Sequence, residues 1–257
     1  MIVSKYSANG NDFVIFHSDV KEDRSELAKI VCHRQEGVGA DGLIVLLPNE
    51  KKADEYDFEW QFYNSDGSYA DMCGNGSRAC AHYAFNNSIA PSEMKFLTGA
   101  GVIAARVEQN TPKSAMVESE LTPPQILEQE IVFNGHTWWL INTGVPHLVR
   151  YSKTIENFDI EEARELRYVY NANVNVMHIT EDGNLRVRTY ERGVEDETLA
   201  CGTGMSACFY RAFKEEKVKN NIEVYPTSGD TLYLGYNGRT ITFKGRVKKT
   251  FETEWEV

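Results

Sequence analysis

Apolar and polar positions alternate at several places along the chain, and the alternation has the two-residue period of a strand. In YDFEWQFY, residues 56 to 63, Tyr56, Phe58, Trp60 and Phe62 are separated by Asp57, Glu59 and Gln61, and LRVRTY at 185 to 190 repeats the pattern. FVIF near the start, GLIVLL at 42 to 47, WWLINTG at 138 to 144 and VNVMHI at 174 to 179 are short apolar runs bounded by Gly, Asn or Asp, which also predict strands. Helical spacing is rarer. It predicts helices over SELAKIVCHRQ (25 to 35) and EEARELRY (161 to 168), and over two runs that each begin with a cysteine. Two prolines in SELTPPQ, residues 119 to 125, stop regular pairing and mark a linker.

The cysteine-led runs are CGNGSRACAHYAF from Cys73 and CGTGMSACFYRAF from Cys201, and seven of their thirteen positions are identical. Repetition at that level implies an internal duplication with one such helix per half. Small and aromatic residues occupy nearly every face of both runs, so each helix should be wrapped by other elements. Cys80 and Cys208, two turns further on, read as small core residues. The fold expected is α+β, in two similar halves each built around one buried helix.

Composition narrows the partners. The formal charge of -11, from 27 Lys and Arg against 38 Asp and Glu, argues against nucleic acid, which binds chiefly through basic side chains that neutralise phosphates. No run approaches the length of a membrane span, and MIVSKYSANGNDF lacks a basic segment followed by an apolar one, so a cytoplasmic protein is expected. Five cysteines, an odd number in a chain of 257 residues, do not suggest a secreted disulfide scaffold.

Three chemistries compete for the cysteines. A metal is disfavoured: Cys73 and Cys80 would stand roughly 10 Å apart along one helix, whereas two sulfurs on one zinc lie roughly 4 Å apart, and no CxxC or HxxxH spacing supplies further ligands. A phosphate loop lacks GxGxxG and GxxxxGK[ST], although C-G-x-G before a helix would expose backbone amides to a carboxylate as well as to a phosphate. The third is proton transfer. A cysteine at a helix N-terminus should have its pKa drawn toward neutrality by the helix dipole and nearby amides. Two such cysteines suit a two-base racemase or epimerase, one thiolate removing a proton and the other thiol delivering one to the opposite face. The amides at 74 to 76 and 202 to 204 would stabilise the charge that develops on the carboxylate.

GNDF (10 to 13), GVGADG (37 to 42), FYNSDGS (62 to 68), MCGNGSRA (72 to 79), NTGVPH (142 to 147), NVNV (173 to 176) and RTYERGVEDETLACGTG (188 to 204) together resemble the signature segments of the diaminopimelate epimerase family. The resemblance implies two pseudo-symmetric domains, each a mostly antiparallel, barrel-like sheet around a central helix. One would comprise residues 1 to 113, carry Cys73 and be completed by a C-terminal strand at about 246 to 257; the other, 114 to 245, would carry Cys201. It implies interconversion of LL- and meso-diaminopimelate, a step toward lysine and peptidoglycan, without metal, pyridoxal phosphate or other cofactor, by a homodimer. Cys73 and Cys201 would be the acid and base, with Gly74, Asn75, Gly202 and Thr203 holding the reacting carboxylate. Asn11, Asn64, Asn175, Glu191 and Arg192 would line the pocket, Arg192 pairing the distal carboxylate and Glu191 an ammonium. His147 would tune the site.

One departure stands out. The family commonly has GNPH where this chain has GVPH, so Val145 replaces an Asn that contacts substrate. Either Asn142 or Thr143 substitutes, which is the expectation adopted, or the chain racemises another amino acid or isomerises a related small carboxylate. A binding protein that captures a carboxylate at the helix ends is the alternative outside enzymology, but binding alone gives no reason for paired thiols. His17, His33, His82, His136 and His178 have no partner pattern and read as packing or surface residues.

Overall fold

A computed structural model describes residues 1–49 and 55–256. The chain separates into two compact units, Met1–Glu120 with Lys244–Val257, and Leu121–Phe243.

The first unit contains β1 (Ile2–Ala8), β2 (Asn11–His17), α1 (Ser25–Cys32), β3 (Gly42–Pro48), β4 (Phe58–Asn64), α2 (Gly74–Asn86), β5 (Glu93–Thr98), β6 (Gly101–Thr111) and β7 (Ser114–Glu120). The later part of the final strand, β16 (Ile241–Glu254), joins them. The strands follow the order β1 to β7, then β16, and β16 pairs back onto β1, which closes an eight-stranded barrel with no free edge. A division after residue 113 would separate β6 from β7, which are antiparallel neighbours; the compact unit runs on to Glu120.

Burial on both faces explains the continuous apolar run of β3. Ile44 and Leu46 face one cluster with Phe13 and Ile15 of β2, while Leu43, Val45 and Leu47 face another with Val14 and Phe16. The second cluster receives α1 through Ala28, Val31 and Cys32. The first receives α2 through Ala79, Cys80, Ala81, Tyr83 and Ala84, and all eight strands contribute to it, so α2 occupies the barrel interior. Each buried Phe or Ile contributes roughly 1.5–3 kcal/mol relative to exposure. That packing, not propensity, holds a helix whose first turn carries Gly74 and Gly76.

Helix α1 ends at Cys32, earlier than the spacing of 25 to 35 predicts. The chain folds back so that the Gly39 and Ala40 amides take the Val31 and Cys32 carbonyls, which would otherwise be orphaned at the helix end. Gly37 makes the return feasible: a Cβ there would lie 2.3 Å from the Ile30 carbonyl oxygen.

The second unit repeats this connectivity. It contains β8 (Gln125–Phe133), β9 (His136–Asn142), β10 (Pro146–Tyr151), α3 (Ile160–Tyr170), β11 (Asn173–Ile179), β12 (Leu185–Glu191), β13 (Asp196–Thr198), α4 (Gly202–Lys214), β14 (Ile222–Tyr225), β15 (Leu232–Tyr236) and the start of β16. In the first unit α1 links the parallel pair β2–β3 and α2 the parallel pair β4–β5. In the second, α3 links the parallel pair β10–β11 and α4 the parallel pair β12–β14, while β8–β9, β9–β10, β11–β12 and β14–β15 are antiparallel. The duplication inferred from two helices therefore extends to the two helix-linked parallel strand pairs of each unit. Helix α4 is buried from Gly204 to Ala212 and packs on β9 to β12 and β15, while α3 covers the opposite face through Ala163 and Leu166.

Polar residues inside the helices are hydrogen-bonded. Arg211 donates to the Thr137 and Val149 carbonyls and lies over the Trp139 and Tyr151 rings, and His82 meets Asn86, Asn110 and the Thr111 carbonyl. Among the described residues, no helix is long and apolar enough to cross a membrane and no cluster of three or more His, Cys, Asp or Glu is arranged to hold a metal.

Candidate active site

Cys73 and Cys201 occupy equivalent places: each is the N-cap of the interior helix of its unit, in extended backbone conformation. The preceding strands end at equivalent places too, β4 on Asn64 and β12 on Glu191.

In the first unit the Cys73 sulfur accepts the Gly76 amide at 3.3 Å. One turn along, Arg78 is fully buried and donates to the Gly74 carbonyl at 2.9 Å, the Asn75 side-chain oxygen at 2.6 Å and the Asn9 side-chain oxygen at 2.8 Å. Asn75 in turn donates to Asn11 at 2.8 Å, and Asn11 to Asp41 at 3.1 Å. Asp41 also accepts the Asp12 amide and Arg34, and Arg34 grips Asp12 through two parallel hydrogen bonds. Burial works against the Asp12 charge, but hydrogen bonds from Arg34 and Lys5 hold its pKa down to about 2. Thus Asn11, Gly74 and Asn75 are brought into one network. The Asn64 side-chain amide donates instead to Ser68 at 2.9 Å, within the turn that carries Gly67.

Arg78, Asp41 and Asn9 were not singled out by the sequence reading, although they organise this network. The available signal was Arg78 itself: a cation inside a helix whose small and aromatic residues mark it as buried on nearly every face requires buried acceptors.

In the second unit the Cys201 sulfur lies 3.5 Å from the Thr203 hydroxyl. That hydroxyl is 2.9 Å from His147 Nε2, and His147 Nδ1 is 3.0 Å from the Asn175 amide nitrogen. Asn175 is fully buried; its nitrogen also donates to the Leu148 carbonyl at 3.1 Å and its oxygen accepts the Thr189 hydroxyl at 2.8 Å. Glu191 accepts from Thr198 at 2.8 Å. Arg192 is anchored through its backbone amide to the Asn173 side chain and through its guanidinium to the Asn171 carbonyl, both at 2.8 Å. Asn173 also donates to the Pro146 carbonyl, joining Arg192 to the segment that carries Val145 and His147, a link the sequence reading did not anticipate. Beside Val145, Thr143 is committed to the Thr203 carbonyl and the Asn142 side-chain oxygen to the Gly144 amide. The Thr143 hydroxyl hydrogen is thus engaged within the protein.

The thiols depart from expectation. Burial pushes the Cys73 pKa up, against the Gly76 and Asn75 amides and the Arg78 charge, which lower it. Burial, reinforced by the Glu191 carboxylate, pushes Cys201 to about 12, against the Thr203 hydroxyl and the Thr203 and Gly204 amides. The helix-end amides act in the direction the sequence predicts, but loss of water outweighs them. Without a charged ligand both groups rest as thiols at neutral pH. Burial likewise pushes the Glu191 pKa up, against the hydrogen bond from Thr198, which lowers it.

His147 is buried and its pKa is lowered to about 3, first by burial and then by the nearby Arg192 charge. Between that value and the ordinary histidine value near 6.5, the unfolded chain binds a proton that the native imidazole does not, so this group's stabilisation is full above pH 6.5 and is lost as pH falls. Lowering the pH from 7 to 5 should cost wild-type protein about 2 kcal/mol through this group. Urea unfolding at the two pH values should show a correspondingly smaller loss in His147→Gln; equal losses would contradict a buried neutral imidazole.

Comparison with known proteins agrees with the repeated architecture. The family model described as diaminopimelate epimerase matches residues 3–127 and 139–243. A diaminopimelate epimerase from a Nitratiruptor species is 60% identical over 253 residues, 98% of each chain. One from Campylobacter jejuni (strain 81-176) is 53% identical, covering 98% of this chain and 97% of its own, and one from Helicobacter pylori is 43% identical over 96% and 94%. Among solved structures, a probable proline racemase from Agrobacterium radiobacter superposes with a TM-score of 0.76 at 14% identity, covering 100% of this chain and 93% of its own. A hydroxyproline epimerase from Agrobacterium vitis gives 0.71 at 16% identity, over 98% and 91%. These distant likenesses establish the fold; the full-length sequence matches, together with the two cysteine-capped helices, establish that the chain belongs to the diaminopimelate epimerase family.

Proposed function

We propose that this chain interconverts LL- and meso-diaminopimelate by a two-base mechanism, serving lysine and peptidoglycan precursor synthesis. The observation that carries the proposal is the pair of equivalent cysteine N-caps, each at the start of a buried helix. One cysteine, as thiolate, takes the α-proton. The electron pair left on the α-carbon delocalises into the carboxylate, which the amides of Gly74, Asn75, Gly202 and Thr203 stabilise. The other cysteine, as thiol, delivers its proton to the opposite face. Atoms and charge balance, and the cysteines have exchanged protonation states, ready for the reverse conversion. The substrate's own ammonium would offset the burial that keeps a lone thiol protonated.

Asn11 and Asn64 contribute polar contacts to the substrate, Arg192 pairs the distal carboxylate and Glu191 an ammonium. The enzyme acts as a homodimer in the cytoplasm and needs no metal or organic cofactor. Val145 favours one further reading, a racemase of another amino acid or an isomerase of a related small carboxylate, because it removes a polar contact to the far end of diaminopimelate. Purified protein given LL-diaminopimelate should yield the meso isomer on chiral chromatography, with solvent deuterium at the α-carbon of the product. Turnover of another amino acid in a panel, with none of diaminopimelate, would overturn the assignment.

A further inference from the structure

Asn175 presents a puzzle for a pocket-lining residue. It is fully buried at the base of the second unit's site, and both ends of its carboxamide are already engaged. The orientation of the amide is fixed without ambiguity. The Leu148 carbonyl can only accept, so the atom 3.1 Å from it is the NH2 group, and the same NH2 group lies 3.0 Å from His147 Nδ1. The Thr189 hydroxyl donates to the remaining oxygen.

The consequences run outward in one direction. His147 Nδ1 accepts a hydrogen bond and carries no proton, so the proton of the neutral ring is on Nε2, which donates to the Thr203 oxygen 2.9 Å away. Having accepted that bond, the Thr203 hydroxyl has its own hydrogen available to the Cys201 sulfur at 3.5 Å. The backbone of Thr203 is held as well, its carbonyl accepting from Thr143 at 2.8 Å.

Gly204 belongs to the same device. A Cβ there would lie 2.2 Å from the Asn175 oxygen and 3.1 Å from the Thr189 hydroxyl, so the second glycine of CGTG leaves room for the carboxamide beneath the helix start. The corresponding Cβ on Gly76 of CGNG would have Cys73 and the tip of Ile44 as its nearest neighbours, at 3.3 Å. Around Cys73 a buried cation, Arg78, takes the supporting role instead.

We propose that Asn175 is a positioning residue that fixes the tautomer of His147, and that His147 thereby turns the Thr203 hydroxyl hydrogen toward Cys201, favouring that thiolate when the proton leaves. The charged groups acting on this chain from the elements around it are Arg192, which disfavours a charged His147, and Glu191, which disfavours the Cys201 thiolate. Beside the Thr203 and Gly204 amides, a neutral donor chain stabilises a thiolate next to a carboxylate without adding a second titrating charge. The proposal rests on the reading of Cys201 as an acid–base group and goes beyond it by moving Asn175 from the substrate to the thiol.

Asn175→Asp tests it with almost no change of shape. A carboxylate cannot donate to Nδ1, so the His147 proton moves to Nδ1, Nε2 accepts from Thr203, and the hydroxyl hydrogen is drawn off the sulfur. Long-range 1H–15N spectra, with His147 assigned by comparison with His147→Gln, should show the Nε2–H form in wild type and its loss in the variant. Alkylation of Cys201 by iodoacetamide, followed by peptide mapping against pH, should need about ten-fold more hydroxide in Asn175→Asp and in Thr203→Val, and should be near wild type in Thr203→Ser. With diaminopimelate, kcat should fall about ten- to hundred-fold at a KM within about two-fold of wild type.

An unchanged tautomer, an unchanged alkylation profile, or a raised KM at unchanged kcat would overturn the proposal, the last by returning Asn175 to the substrate. If Asn175→Asp does not fold, Thr203→Val and Thr203→Ser carry the test, because they leave the buried amide intact. The spectra and the alkylation require no substrate, so they stand or fall separately from the assignment of diaminopimelate.

Discussion

Replacing Cys73 or Cys201 with Ala is expected to reduce the interconversion of LL- and meso-diaminopimelate by about 10³-fold or more in both directions, since acid and base transfer each contribute about 10²–10⁴. Each direction needs both a base on one face and an acid on the other, so a single substitution stops the net reaction whichever thiol it removes. Exchange of the α-hydrogen with solvent deuterium discriminates further. Each variant should retain slow exchange of only one isomer, the one whose proton the surviving cysteine reaches, and the two variants should retain opposite isomers. Exchange of both isomers at the wild-type rate in either variant would rule out two bases. Cys73→Ser separates capping from chemistry. The Gly76 amide now bonded to sulfur would pass to a better N-cap acceptor, so stability should hold or rise, while activity is lost because a hydroxyl is far harder to ionise.

Gly204→Ala is expected to destabilise the second unit by about 2–3 kcal/mol, despite a helix propensity that favours Ala over Gly by about 1 kcal/mol. The added methyl would sit 2.2 Å from the oxygen of a fully buried Asn175 that has three hydrogen bonds to lose. Gly76→Ala, the equivalent change in the first unit, should lie within about 1 kcal/mol of neutral, because the Ile44 terminus can shift by a few tenths of an ångström. Urea unfolding of the two variants checks the contrast, and shortening the obstruction in Gly204→Ala with Asn175→Ala should recover part of the loss. Equal costs in the two halves would mean that Asn175 does not limit the space beneath α4.

Several strands were legible because one or both faces are buried. The alternation of YDFEWQFY survives as β4, whose apolar positions point into the barrel, and the unbroken GLIVLL is β3, sandwiched between α1 and α2. The stretch from β6 to β8 was not legible. QILEQEIVF in β8 leaves most side chains exposed, and a strand that buries little writes little into its pattern. Its place is fixed by backbone pairing with β9, which the side chains do not encode.

The same division runs through the site. A cysteine before G-x-G fixes a helix start, and its repetition fixes a second one, because N-capping and glycine-rich first turns are local and depend on neighbours within a few residues. The family resemblance likewise lies in short segments that can be read in order. The protonation of the thiols could not be read that way. It depends on how much water the fold removes from each sulfur and on which groups it turns toward that sulfur: Arg78 and Asp41 for Cys73, Glu191 and the Thr203 hydroxyl for Cys201. Nor could Asn175 be separated from the pocket residues, since NVNV gives no sign that its side chain is spent on Leu148, Thr189 and His147. Sequence alone determined that two helices start on cysteines. Tertiary structure decided what each cysteine feels there, because desolvation and charge act through space and depend on how the chain is packed around each sulfur, not on the order of residues beside it.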